Sequence, residues 1–194
     1  MISASAVGYY EVQPEDDPTA LGEDAPSRPD FVSEICRQWE NAAQPVSNYG
    51  VSLAVLRFGV VLGHKGALPV MRLPFLLGLG GRLGNGRQVM SWVHIKDVLG
   101  SIAHIISNST ARSVDGTYNV IAPQAVTQGE FAKTLGRVLH RPAVLPMPAG
   151  VMRFILGEQA TILLTGQRAY PAHLERDGYQ FRFPQLESAL RDLC

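Results

Sequence analysis

The longest apolar run of the chain, Val51 to Val61, limits the folds that this sequence can adopt. It is rich in leucine and β-branched residues and is followed by Leu62-Gly63. Runs of this kind form strands buried on both faces, as in a parallel sheet covered by helices. Ser52 and Arg57 interrupt the run, which is far shorter than the roughly 20 residues that span a bilayer. We therefore predict a buried strand of an α/β protein.

Helical patterns surround this strand. Apolar residues recur at helical spacing from Phe31, after a candidate cap at Asp30, and Thr127 with Glu130 forms a capping box that begins a helix running to about His140. Further helices are predicted over 67–79 and 97–107, and strands over 1–10 and 117–121. This alternation is typical of a doubly wound sheet. After Pro142 the pattern changes to short helices (148–157, 159–168, 171–177 and 184–193), with one brief strand from Tyr179 to Phe183.

The composition excludes several classes of protein. Of 194 residues 46% are hydrophobic, and 17 Lys and Arg balance 17 Asp and Glu, so the chain can bury a core and lacks the basic excess of nucleic-acid-binding proteins. The first residues do not have the pattern of a secretory signal, and we expect no membrane span. Cys36 and Cys194 make no disulfide or metal framework, and the histidines show no ligand spacing. We expect a cytoplasmic protein with no metal, nucleic-acid or membrane partner.

The segment from Gly81 to Gly86 has the composition of a phosphate-binding loop. A dinucleotide fingerprint must lead from a strand directly into a helix. This segment has its glycines in the reverse order and opens onto another extended segment. A structural turn is the favoured interpretation.

Ser5 is the first candidate site residue. A hydroxyl at the carboxyl end of a parallel strand points into the crevice where doubly wound sheets bind ligands, although a serine that merely ends a strand is the simpler reading. Tyr9 and Tyr10 can stack on a ring, donate a proton or simply pack. A tyrosine acid needs a cation nearby, and none lies close in sequence.

The segment Trp92 to Asp97 offers a second candidate. His94 and Asp97 fit an acid-base pair, but a histidine between Val93 and Ile95, just before a helix capped by Asp97, is more often a structural hydrogen bonder. Glu158 and the pair Gln167-Arg168 are polar groups in an apolar tail, where they either line a pocket or satisfy helix ends.

Three segments together resemble the extended short-chain dehydrogenase/reductases. Residues 3–10 are similar to the strand that carries their active-site serine or threonine, and residues 56–63 to the strand whose end meets the nicotinamide. Residues 84–97 are similar to their GDGxQxRDfiHVdD segment. Residues 73–98, 118–142 and 156–190 resemble one atypical branch more closely, the epimerase family proteins of YfcH type, including its C-terminal domain of unknown function.

The resemblance implies an α/β fold with a partial Rossmann-like doubly wound parallel sheet and a small, mainly helical C-terminal lobe. Residues 1–121 correspond to the C-terminal part of an NAD(P)-binding domain without its glycine-rich half, and 122–194 to a substrate-side domain. The implied cofactor is NADP. Ser5 is the implied catalytic hydroxyl. The implied cofactor contacts are Phe58, Gly59, Val60 and Val61, and the implied substrate-pocket walls are Tyr10, Trp92 and His94.

The chain departs from the family pattern at three functional positions. When Glu40 is set on the glutamate of the family's Tyr-x-x-x-Lys-x-x-x-Glu helix, Val32 takes the place of the tyrosine and Cys36 that of the lysine. Met90 takes the place of the arginine that holds the diphosphate of sugar nucleotides, and a thioether does not bind a diphosphate as a guanidinium does.

Three hypotheses follow. The first is an NADP-dependent oxidoreductase or epimerase-like enzyme with an unassigned small-molecule substrate. The second is a non-catalytic NADP-binding scaffold or sensor, and some relatives in the branch are associated with bacterial or plastid division. The third is an inactive fragment that would expose a sheet edge and aggregate.

Overall fold

The computed structural model describes residues 1–27, 30–108, 115–150, 154, 157 and 164–194. Within these ranges the strands are β1 (Ile2–Ala6), β2 (Ala54–Phe58), β3 (Val60–Leu62), β4 (Val89–Met90), β5 (Trp92–His94), β6 (Gly116–Val120) and β7 (Val126–Thr127). The α-helices are α1 (Phe31–Ala43), α2 (Ala67–Leu76), α3 (Ile95–Asn108), α4 (Gln128–Val138), α5 (Ala172–Arg176) and α6 (Leu186–Leu193), and 3₁₀ turns cover Val7–Tyr9 and Gln44–Tyr49.

A parallel sheet forms the centre of the fold. Its strands lie in the order β1-β2-β6, and both neighbouring pairs are parallel. Helix α1 connects β1 to β2, and α3 precedes β6, which is the alternation of doubly wound folds. The register aligns Ser5, Arg57 and Asn119 across the three strands. The predicted α/β class with a Rossmann-like parallel sheet is confirmed.

The apolar run at 51–61 forms a buried strand, but it divides between two sheets. Ala54, Val55 and Leu56 of β2 have almost no exposed surface, as predicted. The chain then changes sheet at Gly59, and β3 pairs with β5 in parallel. A Cβ atom at Gly59 would lie 2.6 Å from the carbonyl oxygen of Ser91. The crossing between the sheets therefore requires glycine.

The predicted helix caps are confirmed by hydrogen bonds. The backbone amide of Ser33 donates to Oδ1 of Asp30 at 2.8 Å at the start of α1. At the start of α4 the amide of Glu130 donates to Oγ1 of Thr127 at 3.2 Å, and the amide of Thr127 donates to Oε2 of Glu130 at 2.7 Å. These reciprocal bonds satisfy donors that a helix start leaves unpaired.

The strand predicted from Tyr179 to Phe183 is wrong, because a side chain takes the place of a strand partner. The amides of Arg182 and Phe183 donate to the two carboxylate oxygens of Asp97 at 2.7 and 2.9 Å. The hydroxyl of Tyr179 donates to the same carboxylate at 3.1 Å. The segment is thus fastened to α3 and has no ladder partner among the described residues.

The core joins the two predicted domains. One hydrophobic cluster contains Leu62 and Trp92 from the first domain together with Phe131, Leu135 and Leu190 from the second. The division at 121/122 stays a prediction. Helices α5 and α6 occupy the ranges predicted near 171–177 and 184–193. The helices predicted over 148–157 and 159–168, and Glu158 with them, lie largely outside the described residues.

Candidate functional site

Ser5 lies one residue before the carboxyl end of β1, and its side chain belongs to a buried polar cluster. It is 5% exposed, and its hydroxyl donates to Oε1 of Glu40 on α1 at 2.7 Å. Helix α1 follows β1 and packs against it, and this packing brings Glu40 to Ser5. The hydroxyl proton of Ser5 is therefore engaged by a carboxylate of this chain.

Arg57 forms the centre of this cluster. Its Nε and Nη2 donate to the two oxygens of Glu40 at 2.9 and 2.8 Å, a bidentate arrangement. Burial is the largest single effect and lowers the pKa of the Arg57 guanidinium, but the hydrogen bonds and electrostatic attraction of Glu40 and Tyr10 together outweigh it, and the net pKa is raised. The buried pair is therefore charged on both sides, with its donors and acceptors matched.

Tyr10 closes the cluster on its other side. Its hydroxyl donates to Oδ1 of Asn119 at 2.7 Å and accepts from Nη1 of Arg57 at 2.9 Å. Desolvation raises the pKa of Tyr10, although Arg57 acts in the opposite direction. The guanidinium carbon also lies 3.3 Å from the centre of the Tyr9 ring, a cation–π contact. Folding thus brings the Arg57 guanidinium, from a strand distant in sequence, to Tyr10. This is the cation that a tyrosine acting as a general acid needs.

Tyr10 has no exposed surface. Its predicted role as a wall of the substrate pocket stays a prediction that this buried geometry does not favour.

Glu23 joins the cluster and was missed by the sequence reading. Its Oε1 accepts from the amides of Asn119 at 2.9 Å and His173 at 3.2 Å. Its Oε2 is buried and has no hydrogen-bond partner among the described residues. Glu23 is one of several acids in a proline-rich loop, and no local pattern distinguishes it from the others.

The first turns of α1 face the end of β1, where the resemblance places the proton-relay pair. A Cβ atom at Gly8 would lie 2.7 Å from Cγ1 of Val32 and 4.0 Å from Sγ of Cys36. Cys36 is 3% exposed, and burial raises the pKa of its thiol. A valine side chain and a buried thiol therefore occupy the positions at which the resemblance implies a tyrosine and a lysine.

The residues from Phe58 to Val61 lie at the carboxyl end of the central strand, and all four are half-buried. Phe58 is level with Ala6 of β1 in the register, directly after Ser5. The amide of Val60 donates to the carbonyl of Ser91 at 2.8 Å, which fixes the crossing at Gly59. This edge is the place where open parallel sheets bind ligands.

Trp92 and His94 lie on β5, where they pair in the register with Val60 and Leu62, and both side chains point into the interior. Neither has exposed surface, and Nε1 of Trp92 donates to the carbonyl of Gln124 at 3.0 Å. The predicted role of these two residues as pocket walls is likewise not favoured by this burial.

His94 has structural partners in place of the acid-base partner considered for it. Its Nδ1 accepts from the amide of Lys96 at 3.0 Å, its Nε2 lies 3.2 Å from the Asp192 carboxylate, and its ring stacks on Phe183. Desolvation lowers its pKa, partly opposed by Asp192. Asp97, the acid considered for that pair, binds the segment at 179–183 instead.

The glycine-rich segment is a turn. Gly84 and Gly86 adopt left-handed conformations, with φ of 60° and 73°, and the chain continues into β4 without an intervening helix. Met90 in β4 is 8% exposed and belongs to the core, so its side chain presents no group to a diphosphate.

The remaining polar pair of the tail, Gln167-Arg168, lies against the loop after Tyr10. Nε2 of Gln167 donates to the carbonyl of Tyr10 at 3.4 Å, and the amide of Arg168 donates to Oε1 of Gln13 at 2.7 Å.

Neither a metal site nor a membrane span is found in the described ranges. They contain no group of three or more metal-ligating side chains. They also contain no helix whose length and hydropathy suit a bilayer.

Comparison with known proteins finds similarity along the whole chain. A family profile described as Domain of unknown function (DUF1731) matches residues 147–193. The chain is 39% identical to Epimerase family protein YfhF of Bacillus subtilis, covering 100% of this chain and 62% of the relative. It is 38% identical to Epimerase family protein SDR39U1 homolog, chloroplastic, of Arabidopsis thaliana, covering 98% and 53%.

Among solved structures, human epimerase family protein SDR39U1 (isoform 2) with NADPH superposes with a TM-score of 0.91 at 37% identity. The match covers 99% of this chain and 64% of that one. The chain thus spans roughly three fifths of the length of the curated relatives it matches first, 62% of YfhF for example.

Proposed function

The chain is a homologue of the epimerase family proteins over its whole length, and on this premise we propose that it serves an NADP-dependent oxidoreductase or epimerase-like activity on a small molecule. The NADPH in the solved human relative supports an NADP-type cofactor for the family. In this chain, residues 1–121 would supply the nicotinamide side of the cofactor site. Residues 122–194 would supply the substrate side.

The observation that carries the proposal is the carboxyl edge of the parallel sheet. Ser5 on β1 is level with Arg57 on β2, and the half-buried segment from Phe58 to Val61 begins one position further along that adjacent strand. When bound, NADPH supplies a hydride to a carbonyl or a related acceptor. The backbone from Phe58 to Val61 would orient the nicotinamide ring, and the hydroxyl of Ser5 would orient the substrate.

Sugar nucleotides are not the proposed substrates. Enzymes that hold a diphosphate need a cation at its oxygens, and arginine is suited to this by its planar pair of donors. Met90 occupies the corresponding position and is buried in the core. We expect a substrate without a nucleoside diphosphate at this position.

A second function, a non-catalytic NADP-binding scaffold, is favoured by a specific observation. By the family resemblance, Val32 and Cys36 take the places of the proton-relay tyrosine and lysine, and the proton of Ser5 is held by Glu40 at 2.7 Å. Without a group that donates a proton to the reduced product, hydride transfer to a carbonyl loses a contribution of typically 10²–10⁴-fold.

Cofactor binding and turnover separate the two functions. The protein would be purified as the full-length chain that its host produces, and its NADPH binding would be measured by fluorescence titration. It would then be assayed for NADPH oxidation with ketones, aldehydes and sugar nucleotides. The enzyme hypothesis expects NADPH binding and turnover with at least one carbonyl class. Tight NADPH binding without turnover of any tested compound supports the scaffold hypothesis. Absence of NADPH binding contradicts both hypotheses.

Ser5→Ala and Ser3→Ala provide the matched pair for the site. Ser3 lies on the same strand and undergoes the same chemical change, but it lies two residues from the edge. If Ser5 orients the substrate, Ser5→Ala lowers kcat at least tenfold with little change in NADPH affinity, while Ser3→Ala keeps near-normal kcat. Equal kcat values for the two variants would show that Ser5 does not orient the substrate.

A further inference from the structure

A cavity of about 380 Å³ lies apart from the Ser5 edge, between the glycine-rich turn, the first turns of α4 and the segment 143–146. It shares no residue with the polar cluster around Arg57. Its volume is within the range of small-molecule sites, roughly 300–1,000 Å³. The charged side chains in its lining are Arg82, Arg87, Lys133 and Glu130.

The cavity carries an excess of positive charge. None of the three cations forms an ion pair with a carboxylate of the described residues, whereas Arg57, Lys96 and Arg137 each do. The single acid, Glu130, is engaged by its own helix cap, since Oε2 accepts from the amide of Thr127 at 2.7 Å and from its hydroxyl at 3.0 Å. Three cations thus face one cavity without a described counter-ion.

The start of α4 contributes no free amide to this cavity. The amide of Gln128 donates to the carbonyl of Gln88 at 2.9 Å, and that of Gly129 to the carbonyl of Gly86 at 2.8 Å. The amide of Glu130 is held by Oγ1 of Thr127 at 3.2 Å. Recognition of a ligand in this cavity therefore depends on the long cationic side chains.

The glycine-rich turn brings Arg82 to the cavity. Gly86 has a φ of 73°, and a Cβ atom there would lie 3.1 Å from Cβ of Arg82 and 3.2 Å from Cα of Gly129. Gly86 therefore lies between the Arg82 stem and the start of α4, and Arg82 lines the same cavity as Lys133 on the next turn of that helix. The planar donors of arginine and the point charge of lysine suit phosphate oxygens.

Part of the lining is apolar. Ala132, Val144 and Pro146 belong to it, and Val144 is 74% exposed. We propose that the cavity binds the phosphate or diphosphate group of a small molecule, whose less polar body contacts these residues. The site shares no residue with the Ser5 edge, and its test does not depend on NADPH binding or turnover.

Pyrophosphate is the probe for the test. Isothermal titration of the 194-residue chain at low ionic strength is expected to show saturable binding at one site. The double variant Arg82→Ala/Lys133→Ala should weaken binding at least tenfold. The control variant Arg72→Ala/Lys65→Ala removes one arginine and one lysine outside the cavity, and it should change the dissociation constant less than twofold. Thermal melting of each variant checks that it is folded.

Three results would overturn the proposal. The first is the absence of saturable pyrophosphate binding by the wild-type chain, and the second is an equal loss of pyrophosphate affinity in the cavity and control variants. The third comes from sedimentation with vesicles containing phosphatidylglycerol. Vesicle binding that requires Arg82 and Lys133, without pyrophosphate binding, would assign these cations to a lipid surface. Saturable pyrophosphate binding that only the cavity variant loses supports the small-molecule site.

Discussion

At the scale of single residues, Arg57 determines what the Ser5 edge can do. Its charge is matched by Glu40, and it also donates to Tyr10 and to the carbonyl of Glu23. Glu40 and Tyr10 are both hydrogen-bonded to this guanidinium, whereas Oε2 of Glu23 has no hydrogen-bond partner among the described residues. Breaking one of the paired contacts would leave a further buried polar group unpaired, which is costly in a low-dielectric interior.

Removing Glu40 should therefore destabilise the chain strongly. Glu40→Ala leaves a buried guanidinium without its counter-ion, which costs about 3–5 kcal/mol in the free energy of unfolding. Urea denaturation followed by circular dichroism measures the change. Glu34→Ala is the control on the same helix, because Glu34 pairs with Arg37 at the surface and its loss should cost less than about 1 kcal/mol. A similar small cost for both variants would contradict the role given to the Arg57 pair.

His94 should make stability depend on pH. Burial lowers its pKa in the folded chain, so below the unfolded value of about 6.5 the unfolded chain binds more protons than the folded one. The free energy of unfolding should then be fully maintained above about pH 6.5 and fall as the pH drops toward the folded pKa.

The measurement is the slope of unfolding free energy between pH 7 and pH 5. His94→Gln should reduce this slope, because the variant has no imidazole to protonate. His64→Gln, at an exposed position, should leave it unchanged. An unaltered slope in His94→Gln would show that other groups cause the pH dependence.

At the scale of secondary-structure elements, the crossing at Gly59 links the two parallel sheets. β2 and β3 are separated by this single residue, yet they pair with different partners, β6 and β5. Phe58 is the last residue of β2, and Val60 is the first residue of β3. The geometry of the proposed nicotinamide wall therefore depends on how closely Gly59 approaches Ser91.

Gly59→Ala should disrupt this crossing. The added methyl would lie 2.6 Å from the Ser91 carbonyl oxygen and 2.8 Å from Cγ2 of Ile121, and overpacking of this kind costs roughly 1–3 kcal/mol. Gly150→Ala is the control, since a Cβ atom there has no neighbour within 4 Å. Thermal melting should show a clear loss for Gly59→Ala and little change for Gly150→Ala. Equal melting temperatures would mean that the crossing adjusts freely.

At the scale of the whole molecule, the sequence predicted what local patterns control. The apolar run, the Asp30 cap and the Thr127 capping box depend on neighbouring residues, and the structure confirms them. The Arg57 cluster depends on contacts between distant segments, so no spacing rule reveals it. The strand predicted at 179–183 fails for the same reason, because Asp97 lies 82 or more residues away.

Strand β1 lies at an edge of the described sheet, and this should affect solution behaviour. Its outer side has no strand partner in the ranges described, and Ile2 is 37% exposed. Open edges with apolar side chains favour pairing between chains, and a lysine at such an edge opposes it. The 194-residue chain should self-associate as its concentration rises, and Ile2→Lys should increase the monomer fraction measured by light scattering. Ile106→Lys, on exposed α3, is the control, and an equal effect of both variants would exclude the edge.

The bonds that close the polar cluster also set an order for its assembly during synthesis. Tyr10 bonds Asn119, 109 positions later, and Glu23 bonds the amide of His173, 150 positions later. A growing chain on the ribosome holds Arg57 and Glu40 long before it holds either of those partners. Contacts of such wide separation form slowly. We therefore expect the polar cluster to be completed only after the C-terminal segment that contains His173 has been synthesised.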